Sequence, residues 1–192
     1  TDGLALDTIA VTREFPENAD EERRASRIAA TIEKALAGEV RLPGGCDAVM
    51  FVPQLPYLPL GDLRTAVAYP HPPETYDDAA MQSALRDVAL PHLMIRLAEA
   101  QDWAKMLSVG EQQRIVFARA LLAEPSAVFL DESTSALDEG LEEMLYRLLR
   151  ERLPDTIVVS VSHRATVHPL HDRRLSLVGD GEWRLERLAS SG

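Results

Sequence analysis

An α/β fold with a parallel sheet is predicted from three observations. Ala127–Leu130 is a fully apolar run of strand length, Glu139–Leu153 carries the spacing of an amphipathic helix, and Thr156–Val161 is another apolar run. Strand, helix and strand in that order need a crossover that lays the two strands side by side and parallel. A short apolar run at Ala48–Val52 is a further buried-strand candidate.

The remaining elements follow in order. Leu4–Thr12 alternates loosely through Leu4, Leu6, Ile9 and Val11 and reads as an opening strand. Asn18 is a plausible N-cap for a helix whose first turn holds Asp20, Glu21 and Glu22. Its apolar face is Ala25, Ile28, Ala29, Ile32 and Leu36, and Gly38 ends it. Pro43-Gly44-Gly45 is a turn, and Gln54–Pro73, rich in proline, reads as an irregular connector. Asp77–Met106 is mostly helical and broken near Pro91. Ser108 caps a long helix, with Glu111 three residues on as its capping-box partner. Arg174–Val178 and Trp183–Leu188, parted by Gly179-Asp180-Gly181, read as a terminal hairpin.

Bulk properties narrow the function. The 192 residues suit one domain, or one lobed domain, and 46% hydrophobic with 27% charged residues allows a buried core. A net charge of −11 argues against a nucleic-acid groove, which needs a clustered basic surface. No apolar run approaches the ~18 residues of a membrane span, and the start has no signal-peptide pattern. The lone Cys46 excludes an internal disulfide and fits a reducing compartment. The chain begins at Thr1 and is expected to be part of a longer polypeptide.

Chemistry concentrates between Leu107 and His163. The strand ending in Asp131-Glu132 puts two carboxylates at the carboxyl edge of a sheet, where open α/β folds bind ligands. Leu107–Arg114 reads L-S-V-G-E-Q-Q-R and starts a helix, whose free N–H groups and dipole favour anions. The same segment also satisfies a plain serine-capped helix. Ser135-Ala136-Leu137-Asp138 has the form of a helix-initiating turn, and His163 follows a buried strand. His163, His168, His171 and Asp172 form a local group, but their spacing matches no ordinary zinc pattern.

Taken in order, these segments resemble the ATP-binding domain of ABC transporters. Phe51-Val52-Pro53-Gln54 resembles the Q-loop, Leu107–Arg114 the L-S-G-G-Q signature, Ala127–Glu132 the Walker B strand, Ser135–Asp138 the D-loop, and His163 the switch histidine. Ser108 and Gly110 keep the signature pattern; Val109 stands in place of its first glycine and Glu111 in place of its glutamine. The resemblance covers residues 48–188. It is nearest the exporter-type branch that includes peroxisomal fatty-acyl transporters and bacterial carriers of peptides or cobalamin, on the strength of Pro56–Gly61 (P-Y-L-P-L-G) and the form of the signature.

The resemblance implies a P-loop-NTPase-like parallel sheet core with a helical subdomain. It implies one nucleotide-binding domain over residues 1–192, with the helical subdomain at 75–106. ATP and Mg²⁺ are the implied cofactors. Glu132 would orient the attacking water, Asp131 and Gln54 would hold Mg²⁺, and His163 would contact the γ-phosphate. Ser108, Val109, Gly110 and Glu111 would bind the nucleotide held by a second ABC domain, with Asp138 at the junction. The implied partners are that second domain and a transmembrane transporter domain outside this chain, at the cytoplasmic face of a membrane.

One departure is plain. The family's phosphate loop, G-x-x-x-x-G-K-[ST], cradles phosphates on backbone N–H groups, yet no Gly-Lys pair occurs in the sequence. Aligning Ala35-Leu36-Ala37-Gly38 with the end of the following helix puts Ala29 on the lysine and Ala30 on the metal-binding hydroxyl. Residues 17–38 are therefore expected to form a helix in place of the loop, with an acidic first turn that repels a triphosphate. Two functions follow: an ATP-hydrolysing domain that drives transmembrane transport, or a catalytically silent module that lends its signature to a partner ATPase. A DNA-repair type of ABC ATPase is disfavoured by the acidity and the lack of a coiled-coil segment.

Overall fold

The computed structural model describes residues 8–12, 49–162, 164–179 and 182–188. The chain divides into two compact units: Thr1–Pro53 with Ser126–Glu132 and Ile157–Gly192, and Gln54–Pro125 with Ser133–Thr156. The expected helix at 17–38, the turn at Pro43-Gly44-Gly45 and His163 lie outside the described residues.

The first unit carries a six-stranded sheet. Its strands are β1 (Thr8–Thr12), β2 (Val49–Val52), β5 (Ala127–Asp131), β6 (Ile157–Val161), β7 (Arg173–Gly179) and β8 (Glu182–Arg187), in spatial order β2-β5-β6-β1-β7-β8. All neighbours are parallel except the β7–β8 hairpin at the edge. The expected parallel sheet and closing hairpin are both present, and β1 covers the last five residues of the predicted opening strand.

Register explains the apolar runs. Phe129 pairs with Val159, while Val128 pairs with Val158 on the opposite face. Val128, Val158, Val159 and Val161 are all buried, so both faces are dry and the strands need apolar residues at successive positions. Val159, Val161 and Leu175 form one cluster, with Phe129 and Ile157 packed against it.

The second unit is largely helical. It contains β3 (Gly61–Asp62), α1 (Leu63–Ala68), α2 (Asp78–Asp87), a 3-10 segment at Pro91–Arg96, β4 (Ala100–Gln101), α3 (Trp103–Met106), α4 (Val109–Ala123) and α5 (Glu139–Arg152). The break near Pro91 is a 3-10 turn, as proline at the start of such a segment allows. The Gln54–Pro73 segment is more ordered than its prolines suggested. Asp62 accepts from the Thr65 backbone N–H at 2.9 Å and from the Thr65 hydroxyl at 2.7 Å, capping α1. Leu63, Ala66 and Val67 are then completely buried. Burial and a good cap outweigh the low intrinsic stability of so short a helix.

α4 is the centre of this unit. Ile115, Val116, Phe117, Ala118 and Ala120 are buried, and the Phe117 ring meets the Tyr146 ring of α5 edge-on with centroids 6.5 Å apart. Replacing Phe117 by Ala leaves a ring-sized void between α4 and α5. The expected result is a loss of about 3–5 kcal/mol of unfolding free energy in urea; a loss under about 1 kcal/mol would show that this contact is not part of the core.

Candidate functional site

In the first unit, the two carboxylates close strand β5. Leu130 and Asp131 pair with Ser160 and Val161 of β6. The Glu132 N–H donates to the Val161 carbonyl at 2.9 Å, which carries the ladder one residue beyond the strand. Glu132 adopts φ +49°, a left-handed conformation uncommon for a residue with a side chain. Nothing in the sequence signals this turn. Both carboxylates are half-buried. They sit at the carboxyl edge of the parallel strands, the edge at which ligands of open α/β sheets bind. Two hard oxygen donors on adjacent residues suit Mg²⁺ chemically.

The histidine group has a different use. His171 is buried, its Nδ1 lies 2.8 Å from the Val167 carbonyl and its Nε2 2.8 Å from the Ser160 hydroxyl. A carbonyl only accepts, so Nδ1 carries a proton and donates to Val167, while Nε2 shares a hydrogen bond with the Ser160 hydroxyl. Both ring nitrogens are engaged within the first unit, and no group of metal-ligating side chains occurs among the described residues.

In the second unit, the Leu107–Arg114 segment forms the start of α4. Ser108 is the N-cap, and its box with Glu111 is complete. The Glu111 N–H donates to the Ser108 Oγ at 3.3 Å, and the Ser108 N–H and hydroxyl donate to Glu111 Oε2 at 2.9 and 2.7 Å. His92 Nε2 lies 3.0 Å from Glu111 Oε1. Ser108 and Val109 are exposed, and Gly110 is half-buried. A Cβ on Gly110 would stand 3.2 Å from Leu137 Cδ2 and 3.3 Å from the Ala136 carbonyl. The glycine therefore lets the N-terminus of α4 lie against the Ser135–Asp138 turn. That turn is held at its far end by Asp138, which accepts from the Leu141 N–H at 2.9 Å and caps α5.

The sequence reading missed the buried polar residues of α4. Gln113 is fully buried, its Nε2 donates to the Gln54 carbonyl at 3.0 Å and to Ser135 Oγ at 3.3 Å, and its Oε1 accepts from the Ala136 N–H at 3.2 Å. Gln112 donates to the carbonyls of Ala104 and Leu107 at 2.8 and 2.9 Å. Arg119 donates to the carbonyls of Ala66 and Tyr57 at 2.8 and 3.0 Å. Burial brings its guanidinium down to about 10. Gln54 is exposed, and its own amide reaches Ser135 Oγ at 3.5 Å. Gln54, the start of α4 and the Ser135–Asp138 turn are thus brought together in this unit. The only signal for it in the sequence was a run of polar residues on a helix that has no polar face.

A mostly parallel sheet with two carboxylates at its carboxyl edge, together with a largely helical unit, fits an α/β fold of the P-loop-NTPase-like class. The family model described as ABC transporter matches residues 12–135, and the chain belongs to that family. An uncharacterized ABC transporter ATP-binding protein of Haemophilus influenzae is 42% identical over 148 residues, covering 77% of this chain and 25% of that protein. The human lysosomal cobalamin transporter ABCD4 is 37% identical over 155 residues, covering 75% of this chain and 25% of that protein. The chain thus spans about a quarter of the length of these relatives. A bacterial Atm1-family ABC exporter solved with ATP bound shares the fold, with a TM-score of 0.65 at 23% identity over 90% of this chain and 32% of the exporter chain.

Two measurements follow from the start of α4. Burial pushes the Glu111 carboxyl up, but hydrogen bonds from the Ser108 hydroxyl and N–H and the His92 ring outweigh it, leaving the carboxyl below its ordinary 4.5. A depressed folded value means that stability is present above the unfolded value and is lost as pH falls through the folded one. The stability difference between wild type and Glu111→Gln is therefore expected to be constant above pH ~5 and to shrink below it in acid denaturation series. An unchanged difference down to pH ~3 would show that the box adds nothing to the carboxylate form. Separately, Gly110→Val is expected to cost about 1–3 kcal/mol in urea because a backbone carbonyl cannot withdraw as a side chain can, with Gly110→Ala costing less.

Proposed function

We propose that this chain is the ATP-binding and ATP-hydrolysing domain of a membrane transporter of the ABC family, coupling hydrolysis to movement of a substrate across the membrane. The observation that carries the reading is the Asp131-Glu132 pair at the carboxyl edge of the parallel sheet, where the Glu132 N–H bond to Val161 extends the ladder. Family membership and the relatives' names support it.

The roles divide between residues. Asp131 would offer its carboxylate to Mg²⁺, which when bound neutralises phosphate charge, and Gln54 is assigned to the ion by its place in the order of motifs. Glu132 holds and polarises the attacking water as a general base beside the sheet edge. His163 is assigned to the γ-phosphate on the basis of its place after β6. Ser108, Val109, Gly110 and Glu111 serve a nucleotide held by a second ABC domain, and Asp138 fixes the turn that lies between the two. The helix start suits that part, since it carries the positive end of a dipole. The partners proposed are a second ABC domain and a transmembrane domain, which place this chain at the cytoplasmic face of a membrane. No helix among the described residues is long and apolar enough to cross one.

The test is ATP binding and turnover by the purified chain, with and without Mg²⁺, for wild type and Glu132→Gln. The expected outcome is Mg²⁺-dependent binding, with kcat lowered by about 10²–10⁴ in the variant and affinity little changed. Equal turnover in the variant would overturn the role of Glu132. A chain that binds no nucleotide alone, yet activates a partner ATPase through Ser108, would replace the reading with that of a signature donor.

A further inference from the structure

We propose that Gln113 is a positioning residue that carries the placement of the Gln54 segment to the Ser135–Asp138 turn, so that the two shift together during turnover. The proposal rests on the reading above, in which both segments serve ATP hydrolysis.

The argument starts from the amide itself. Gln113 is 0% exposed, so it has no surface to offer a ligand. Its donor side reaches the Gln54 carbonyl, 59 residues away in the chain, and Ser135 Oγ, 22 residues away. Its acceptor side takes the N–H of Ala136. One planar group therefore closes two long loops at once, and the Gln54 side chain meets the same Ser135 hydroxyl from the other direction. Chemistry makes the residue type specific. A carboxylate lacks the donor for Gln54, and an apolar side chain lacks both halves, leaving the N–H of Ala136 without its acceptor.

The platform beneath the amide is stiff. Arg114 donates to the carbonyls of Gly110 and Ala89 at 3.2 and 2.7 Å, and Arg119 binds the carbonyls of Tyr57 and Ala66. With α4 fixed on both sides of Gln113, displacement of the Gln54 backbone is passed through the amide and not absorbed by the helix. The Ala136 carbonyl lies close under Gly110, so the turn also has little room to move independently.

The experiment uses the full chain with Gln113→Met and Gln113→Glu, read by ATP turnover and by amide hydrogen exchange at Ala136. Gln113→Met is expected to speed exchange at Ala136 and to lower kcat by about tenfold each, with KM for ATP unchanged, because a buried hydrogen bond is lost but no nucleotide contact is. Gln113→Glu is expected to show a kcat deficit that shrinks as pH is lowered, since a protonated carboxyl again has one donor and one acceptor. A merely structural amide predicts a lowered melting temperature with kcat unchanged in the folded protein. Full turnover in Gln113→Met, or a deficit in Gln113→Glu that is equal at every pH, would overturn the proposal. If Gln113→Glu fails to fold, as a melting curve reveals, Gln113→Met decides alone. If wild type itself turns over no ATP, the functional reading fails; unchanged Ala136 exchange in Gln113→Met then overturns the positioning role separately.

Discussion

Every buried polar group in a protein interior must find a partner or cost about 1–3 kcal/mol, and this constraint organises the second unit. Helix α4 carries Gln112, Gln113 and Arg119 into the interior alongside Ile115, Phe117 and Ala118. None of the three polar side chains can be left unpaired there. Each is satisfied by backbone atoms of the short helices and loops around α4: Leu107 and Ala104, Gln54 and Ala136, Tyr57 and Ala66. The loops owe their shapes to the helix, since their carbonyls and N–H groups are the partners it demands.

The same logic links packing to chemistry. Gly110 removes the one Cβ that would separate the start of α4 from the Ser135–Asp138 turn. Ser108 and Glu111 close the helix start on itself, with His92 outside. In the first unit the sheet does the corresponding work, because parallel pairing aligns the ends of β2, β5 and β6 on one edge. Backbone geometry there sets the carboxylates at that edge.

Elements defined by apolar periodicity were legible in the sequence. Ala127–Asp131, Ile157–Val161 and Glu139–Arg152 stand within a residue or two of their predicted bounds, and the Ser108–Glu111 box was readable from two residue types at the right spacing. The α1 helix was not legible, because its stability comes from burial of Leu63 and Val67 and from the Asp62 cap within a proline-rich stretch. Gln113 was hidden for a related reason. A glutamine is usually a solvated residue, and only the arrival of distant backbone at its amide makes it a core one. The left-handed turn at Glu132 had no signal, since glutamate is a poor choice for it on conformational grounds alone.

That last residue carries a consequence for the evolvability of the domain. Holding a non-glycine side chain in the left-handed region costs on the order of 1–3 kcal/mol. Position 132 is therefore one at which thermal tolerance and carboxylate chemistry pull in opposite directions. A glycine there would relax the backbone and discard the acid in a single step. Any selection for robustness that ignores turnover has a downhill path through this residue, and a stabilised descendant of the chain would betray that history by an empty side chain at the end of β5.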